Sequence, residues 1–491
     1  AEFTNTNGNN VLAQEDQNGN NGNGARPSGG ASLQFNFPLN MNQTPAGYVD
    51  AATTNLFYMS NIVHDVYYQY GFDEASGNFQ ENNYGRGGAA SDGVLADAQD
   101  GSGLNNANFG TPADGGNPRM QMFLWSAPTS SPIDKLTVNS PAALARGYNA
   151  IPAGFGGAIP STPLTRDLVL AIDGVPDASD GCDPFTNSAA MNNRIVVIRR
   201  GNCAFVVKVK AAQNAGAVGV IMVNNIAGNP IVMGGTDATI TIPSVMISDS
   251  DGNPIIAALQ AAQTVNGTLQ DAPVSGFQID GDFDNGIIAH EYGHGISNRL
   301  TGGPAAAGCL GNQEQMGEGW SDWLGLMLTI EPGDQGTDAR GIGTFAIGES
   351  PSGGGIRPMP YSTNTAINNA TYALSNSSAR PHGVGFVWCT MLWDLSWAFI
   401  DVYGYDTDLY NGNGGNNMVM RLVIEGMKLQ PCSPGFVDGR DAIIQADLLL
   451  NAGVNECLIW NVFAARGLGN GASQGNRNSS TDQVEAFNLP A

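Results

Sequence analysis

Five residues, His290-Glu291-Tyr292-Gly293-His294, limit what this 491-residue chain can fold into more than any other stretch. On a helix, residues four apart lie on one face, one turn above each other. Ile287, Ile288 and Ile296 flank the motif, so the helix is expected to be buried. Two imidazoles and a carboxylate in an apolar surrounding are costly unless something pairs with them. A shared metal ion supplies that pairing, and both rings can reach one ion at about 2.0–2.1 Å. Glu291 sits one step round from His290, where it can take a proton from a water at the metal without ligating the ion. The plainer alternative is two core histidines, each bonded to backbone.

A catalytic zinc usually has three protein ligands and one open position. The chain has only four histidines, His64, His290, His294 and His382. His64 falls on a helical stripe with Leu56 and Tyr67 and reads as a packing residue. Glu318 is therefore the expected third ligand. It opens a helix in the stretch 316–322 (MGEGWSD), 24 residues after His294. Asp322 follows four positions later on the same face. Ligating histidines usually donate their second N–H to a carboxylate, and Asp322 is cast in that part for His290. Glu314 is an alternative ligand. A capping glutamate and a solvated aspartate are the bland alternative.

The rest of the sequence sets the surroundings. Acidic residues outnumber basic ones 44 to 20, for a net charge of −24, which disfavours nucleic acid and anionic lipid as partners. No run of about 18 apolar residues occurs, so no membrane span is expected. No basic, then apolar, opening segment is present, so a processed, mature chain is expected. Six cysteines without a Cys-x-x-Cys pair suggest three disulfides and an oxidising compartment. The expected pairs are Cys182–Cys203, Cys432–Cys457 and Cys309–Cys389. Residues 1–45 read as an irregular arm and 80–115 as Gly/Asn-rich loop. Helices are expected from 53 to 70 and near 280–302, 318–328, 382–400, 417–428 and 438–451. Residues 119–125 alternate as a strand. Residues 132–273 mix buried strands (195–198, 218–224, 242–247) with a helix at 208–215, as a unit of their own. The expected division is 1–131, 132–273 and 274–491.

Several long strings share one likeness. Residues 290–303 (HEYGHGISNRLTGG), 317–322 (GEGWSD), 62–72 (IVHDVYYQYGF), 97–103 (DAQDGSG), 105–109 (NNANF) and 438–447 (DGRDAIIQAD) resemble the fungalysin family of secreted zinc metalloendopeptidases, within the thermolysin-like gluzincins. The resemblance implies an α+β fold with a mixed N-terminal subdomain, a helical C-terminal one and one zinc in the cleft between. It implies His290, His294 and Glu318 as ligands, Glu291 as general base, and protein or peptide substrates. It also implies a secreted enzyme whose inhibitory propeptide has been removed; a monomer is expected. His382, in 380–385 (RPHGVG), resembles the histidine that donates to the tetrahedral intermediate. The aspartate that precedes it in thermolysin-like enzymes is missing from 375–381, and the tyrosine expected after the second zinc histidine is missing from 299–310. Arg357 resembles the arginine that holds a substrate carbonyl. Asn106 and Ala107 resemble the edge segment that pairs with substrate backbone. Residues 200–205 (RGNCAF), Lys208, Ala211, 216–220 (GAVGV) and 242–245 (IPSV) resemble the protease-associated domain, inserted as an α/β module. Asp280-x-Asp282-x-Asp284 leaves calcium possible. Asn285 at the sixth position and the committed Glu291 at the twelfth exclude an EF-hand; helix-start carboxylates are the alternative. Two rival functions stay open, a dead zinc scaffold carrying a binding module and a zinc hydrolase acting on a non-peptide.

Overall fold

The computed structural model describes residues 3–41, 43–126, 135–174, 178–226, 228, 230–271 and 277–491. The chain forms two compact units. One joins Ala1–Ala127 to Phe277–Ala491, and the other is Pro128–Gly276. The expected boundaries at 131/132 and 273/274 fall in stretches outside the described residues.

The first unit opens with β1 (Val11–Glu15), α1 (Val49–Tyr68), β2 (Val94–Leu104), β3 (Ala107–Gly110) and β4 (Arg119–Trp125). The second unit follows with β5 (Leu136–Ser140), β6 (Arg146–Tyr148), β7 (Ile151–Pro152), β8 (Leu164–Leu170), β9 (Ile195–Arg199), α2 (Phe205–Asn214), β10 (Gly219–Val223), β11 (Ser244–Ile247), α3 (Asp249–Gln260) and β12 (Asn266–Leu269). The chain then returns to the first unit with β13 (Ile279–Asp280), α4 (Asn285–Leu300), α5 (Gly317–Met327), α6 (His382–Tyr403), α7 (Gly415–Leu429), α8 (Phe436–Asn451) and α9 (Glu456–Ala465). The fold class is mixed α+β.

In the second unit the sheet runs β6-β5-β12-β8-β9-β10-β11-β7, with β8 to β11 parallel. Ile195 and Val197 join one apolar cluster with Ile255 of α3; Val196 and Ile198 join another with Val209 of α2. Burial on both faces explains why these strands read as unbroken apolar runs.

In the first unit the sheet runs β1-β2-β4-β13, and β3 pairs antiparallel with β4. Two expectations fail here. The N-terminal arm contains β1, paired parallel with β2, and the 80–115 loop contains β2 and β3. The inward positions of β2 are Val94, Ala96 and Ala98, all fully buried. Ala, Asp and Gly carry little strand preference, so pairing on both sides of β2 decides what local composition does not. The helices pack into one apolar cluster with Trp320, Trp323, Trp388 and Trp393. α6 is long and apolar enough to cross a bilayer, but 89% of its most apolar window is buried in the fold, so it is a core helix.

The disulfide pairing is also corrected. Cys182 bonds Cys203 as expected, but Cys309 bonds Cys432, their Cα atoms 4.7 Å apart. The loops are laced at that point, with the Ser433 N–H donating to the Cys309 carbonyl. Cys389 stays a free thiol in the core on α6, and Cys457 a free, exposed thiol on α9. Cys389 is enclosed by the apolar side chains of the core, and Cys309 is tied instead to the 432–433 segment.

Candidate metal centre

α4 starts where Asp284 accepts the N–H of Ile287. It carries His290 and His294 on one face, their ring centroids 4.7 Å apart and nearly perpendicular. Between them Gly293 lets α5 come close: a Cβ there would lie 2.9 Å from the Ser321 Cα. That approach brings Glu318, in the first turn of α5, beside both rings. Its Oε2 lies 3.2 Å from His290 Nε2 and 3.8 Å from His294 Nε2. One ligand atom from each of the three residues lies within 4.8 Å of the others. Glu318 Oε2 is buried and accepts no hydrogen bond. Two imidazoles and a carboxylate with an orphaned oxygen fit a zinc with one open position.

Behind the histidines, His290 Nδ1 is 2.7 Å from Asp322 Oδ1. Arg357 donates to the same carboxylate through Nε at 2.7 Å and Nη2 at 2.8 Å, and the Tyr361 hydroxyl donates at 2.6 Å. Burial opposes ionisation of Asp322, but the Arg357 and His290 contacts hold it far below the usual carboxylate range. Burial pushes Glu291 up to about 7 against the pull of His290. A base in that range can both take and return a proton near neutral pH. His382 opens α6, its side chain half exposed and its Nε2 3.5 Å from Glu318 Oε1. Burial lowers its basicity.

A family model described as fungalysin metallopeptidase (M36) matches residues 1–472. The chain belongs to this family. Among the fungalysins and their kin, "Extracellular metalloproteinase MEP" of Fusarium vanettenii is 33% identical over 100% of this chain and 55% of its own length. "Extracellular metalloproteinase mep" of Aspergillus fumigatus is 32% identical over 97% of this chain and 53% of its own. The chain thus spans about half the length of the curated relatives it matches. Among solved structures, an aminopeptidase from Aneurinibacillus sp. strain AM-1 is 27% identical over 31% of this chain and 33% of its own, with a TM-score of 0.22, too small an overlap to bear on the fold.

Two cavities flank the centre. One, of about 290 Å3, touches Asn106, Ala107, His294, Asn298, Glu318 and His382. A narrower one, of about 30 Å3, is walled by Trp125, Ile287, Ile342 and Ile356 and reaches Arg357. A larger cavity of about 630 Å3, beside Asn285, Asp334 and Arg340, contains no member of the centre, so volume alone would misplace the site.

The remaining sequence candidates fall as follows. Asn106 and Ala107 border both cavities, and Arg357 gives two of its donors to Asp322. Glu314 is engaged elsewhere, accepting from the Tyr372 hydroxyl and the Phe436 N–H. His64 is buried, with Nδ1 2.8 Å from Asp65 and Nε2 near the Gln80 amide. Asp284 caps α4, Asp280 caps the turn before it, and Asp282 accepts the Gln99 N–H. Asp16, Asp97 and Asp100 form a second buried carboxylate group. Unlike Glu318, they are saturated by donors from Asn20, Asn21, Gln14, Arg119, Ser102 and Gln121. Sequence reasoning missed Tyr361, which stands 39 residues after Asp322 in a loop with no periodic pattern.

Proposed function

We propose that this chain is the catalytic part of a secreted zinc endopeptidase acting on extracellular proteins and peptides. The convergence of His290, His294 and the orphaned Glu318 oxygen beside Glu291 carries that reading. The relatives' names, extracellular metalloproteinases, support it. Zinc held by His290, His294 and Glu318 would supply Lewis acidity toward the scissile carbonyl and lower the pKa of a water. Glu291 takes the proton of the attacking water and passes it to the leaving nitrogen. His382 donates an N–H to the oxyanion. Asp322 holds His290 in its tautomer and orientation. Among the described residues β3 pairs only with β4, so Asn106 and Ala107 offer main-chain groups to an extended substrate. Arg357, anchored on Asp322, keeps donors for a substrate carbonyl.

We extend the reading to the thermolysin-like division of the first unit into two subdomains, to a protease-associated module for the second unit, and to release from an inhibitory propeptide as a monomer. The parallel run β8 to β11 with a helix on each face supports the module. Glu291→Gln tests the mechanism. It is expected to keep its zinc and lose at least about 100-fold in casein cleavage. Cleavage at the parental rate would sink the role given to Glu291.

A further inference from the structure

We propose that Asn298 binds the main chain of the substrate on one side of the scissile bond; this rests on the peptidase reading above. Asn298 follows His294 by four residues on α4 and so shares its face. It borders the 290 Å3 cavity together with His294, Glu318 and His382. Its Nδ2 donates to Thr111 Oγ1 at 3.2 Å, just past the end of β3. That bond ties the amide plane to the strand beside the cavity. An asparagine amide has two donors and one carbonyl acceptor. With one donor spent on Thr111, one N–H and one oxygen are left, the complement of a peptide C=O and N–H.

The surroundings favour main chain over side-chain recognition. Asn106 and Asn108 stand with Asn298 around the cavity, so apart from the residues of the metal centre its polar groups are neutral amides. Phe109 supplies the apolar wall and is held by Phe79 and Tyr292, with ring centroids 5.8 Å and 6.0 Å away. Asn106, Ala107, His290, Glu291 and His382 border both this cavity and the narrow one. A peptide extended along β3 therefore passes the metal centre with one half beside the wider cavity, and Asn298 meets only that half.

The test uses the active enzyme with a peptide cut at a single bond, and with versions of it shortened from either end to two residues beside that bond. Asn298→Ala is expected to lower kcat/KM about three- to tenfold on the full peptide. The loss should shrink below about twofold on the peptide shortened at one end and persist on the other. Zinc content should match the parent. Asn298→Asp should lose as much, because it keeps a partner for the Thr111 hydroxyl but not the donor for the substrate. Thr111→Val, which unties the amide, should lose less than Asn298→Ala on the full peptide, with the same dependence on which end is shortened. Equal losses on all peptides, or no loss on any peptide, would each overturn the proposal. If the parent enzyme cuts none of the peptides, the peptidase reading itself has failed.

Discussion

Asp322 and Glu314 are both fully buried carboxylates, and their neighbours treat them in opposite ways. Four donor contacts, two of them from a guanidinium, meet on the Asp322 oxygens. Glu314 has two neutral donors on Oε1 and none on Oε2. Burial therefore pushes Glu314 up to about 7 from its ordinary 4.5. Its folded value lies above its unfolded one, so the folded chain holds the extra proton between them. The stability this gives is present below about pH 4.5 and lost as pH rises through 7, on the order of 3 kcal/mol. Glu314→Gln keeps an acceptor for Tyr372 and Phe436 but cannot ionise. Its unfolding midpoint should gain on the parent's from pH 5 to about pH 7 and level off above that. A constant gap would show that Glu314 does not titrate in the fold. At this scale, the pairs His290 with His294 and Glu318 with Asp322 were legible because each pair is four residues apart on one helix. Tyr361 was not, because only the folded chain brings its loop to Asp322. The sequence likeness points Arg357 at substrate, but its anchorage on Asp322 shows only in three dimensions.

Among the elements, the crossing of α5 and α6 places Glu318, the proposed third ligand. A Cβ on Gly385 would lie 2.4 Å from the Glu318 Cβ, and one on Gly319 would lie 2.3 Å from the Gly385 carbonyl oxygen. Overpacking of this kind typically costs about 1–3 kcal/mol. Gly385→Ala is expected to displace Glu318, so that zinc is lost on dialysis and cleavage falls, while Gly308→Ala, which meets nothing within 4 Å, keeps both. Full zinc retention by Gly385→Ala would show that the helices give way elsewhere. Apart from α3 and α9, the helices were readable from apolar periodicity, with ends within a few residues. β1, β2 and β3 were not, because their inward positions are largely small residues and their pairing is non-local. The same holds for α9, a short helix without a clear start signal in the sequence.

For the whole molecule, the sequence showed a self-contained stretch near 132–273, since its buried parallel strands contrast with the helical remainder. It paired Cys182 with Cys203 correctly but gave Cys309 and Cys432 the wrong partners. Cys309 and Cys432 are 123 residues apart, and no local pattern brings them together. The family match runs through both units and ends at residue 472, so the centre and the second unit belong to one design. Elemental analysis of the purified protein, joined to casein cleavage before and after chelation, tests the central claim most directly. About one zinc per chain, with cleavage lost to the chelator and restored by zinc, is the predicted result. A chain without zinc, or cleavage indifferent to the chelator, would contradict it.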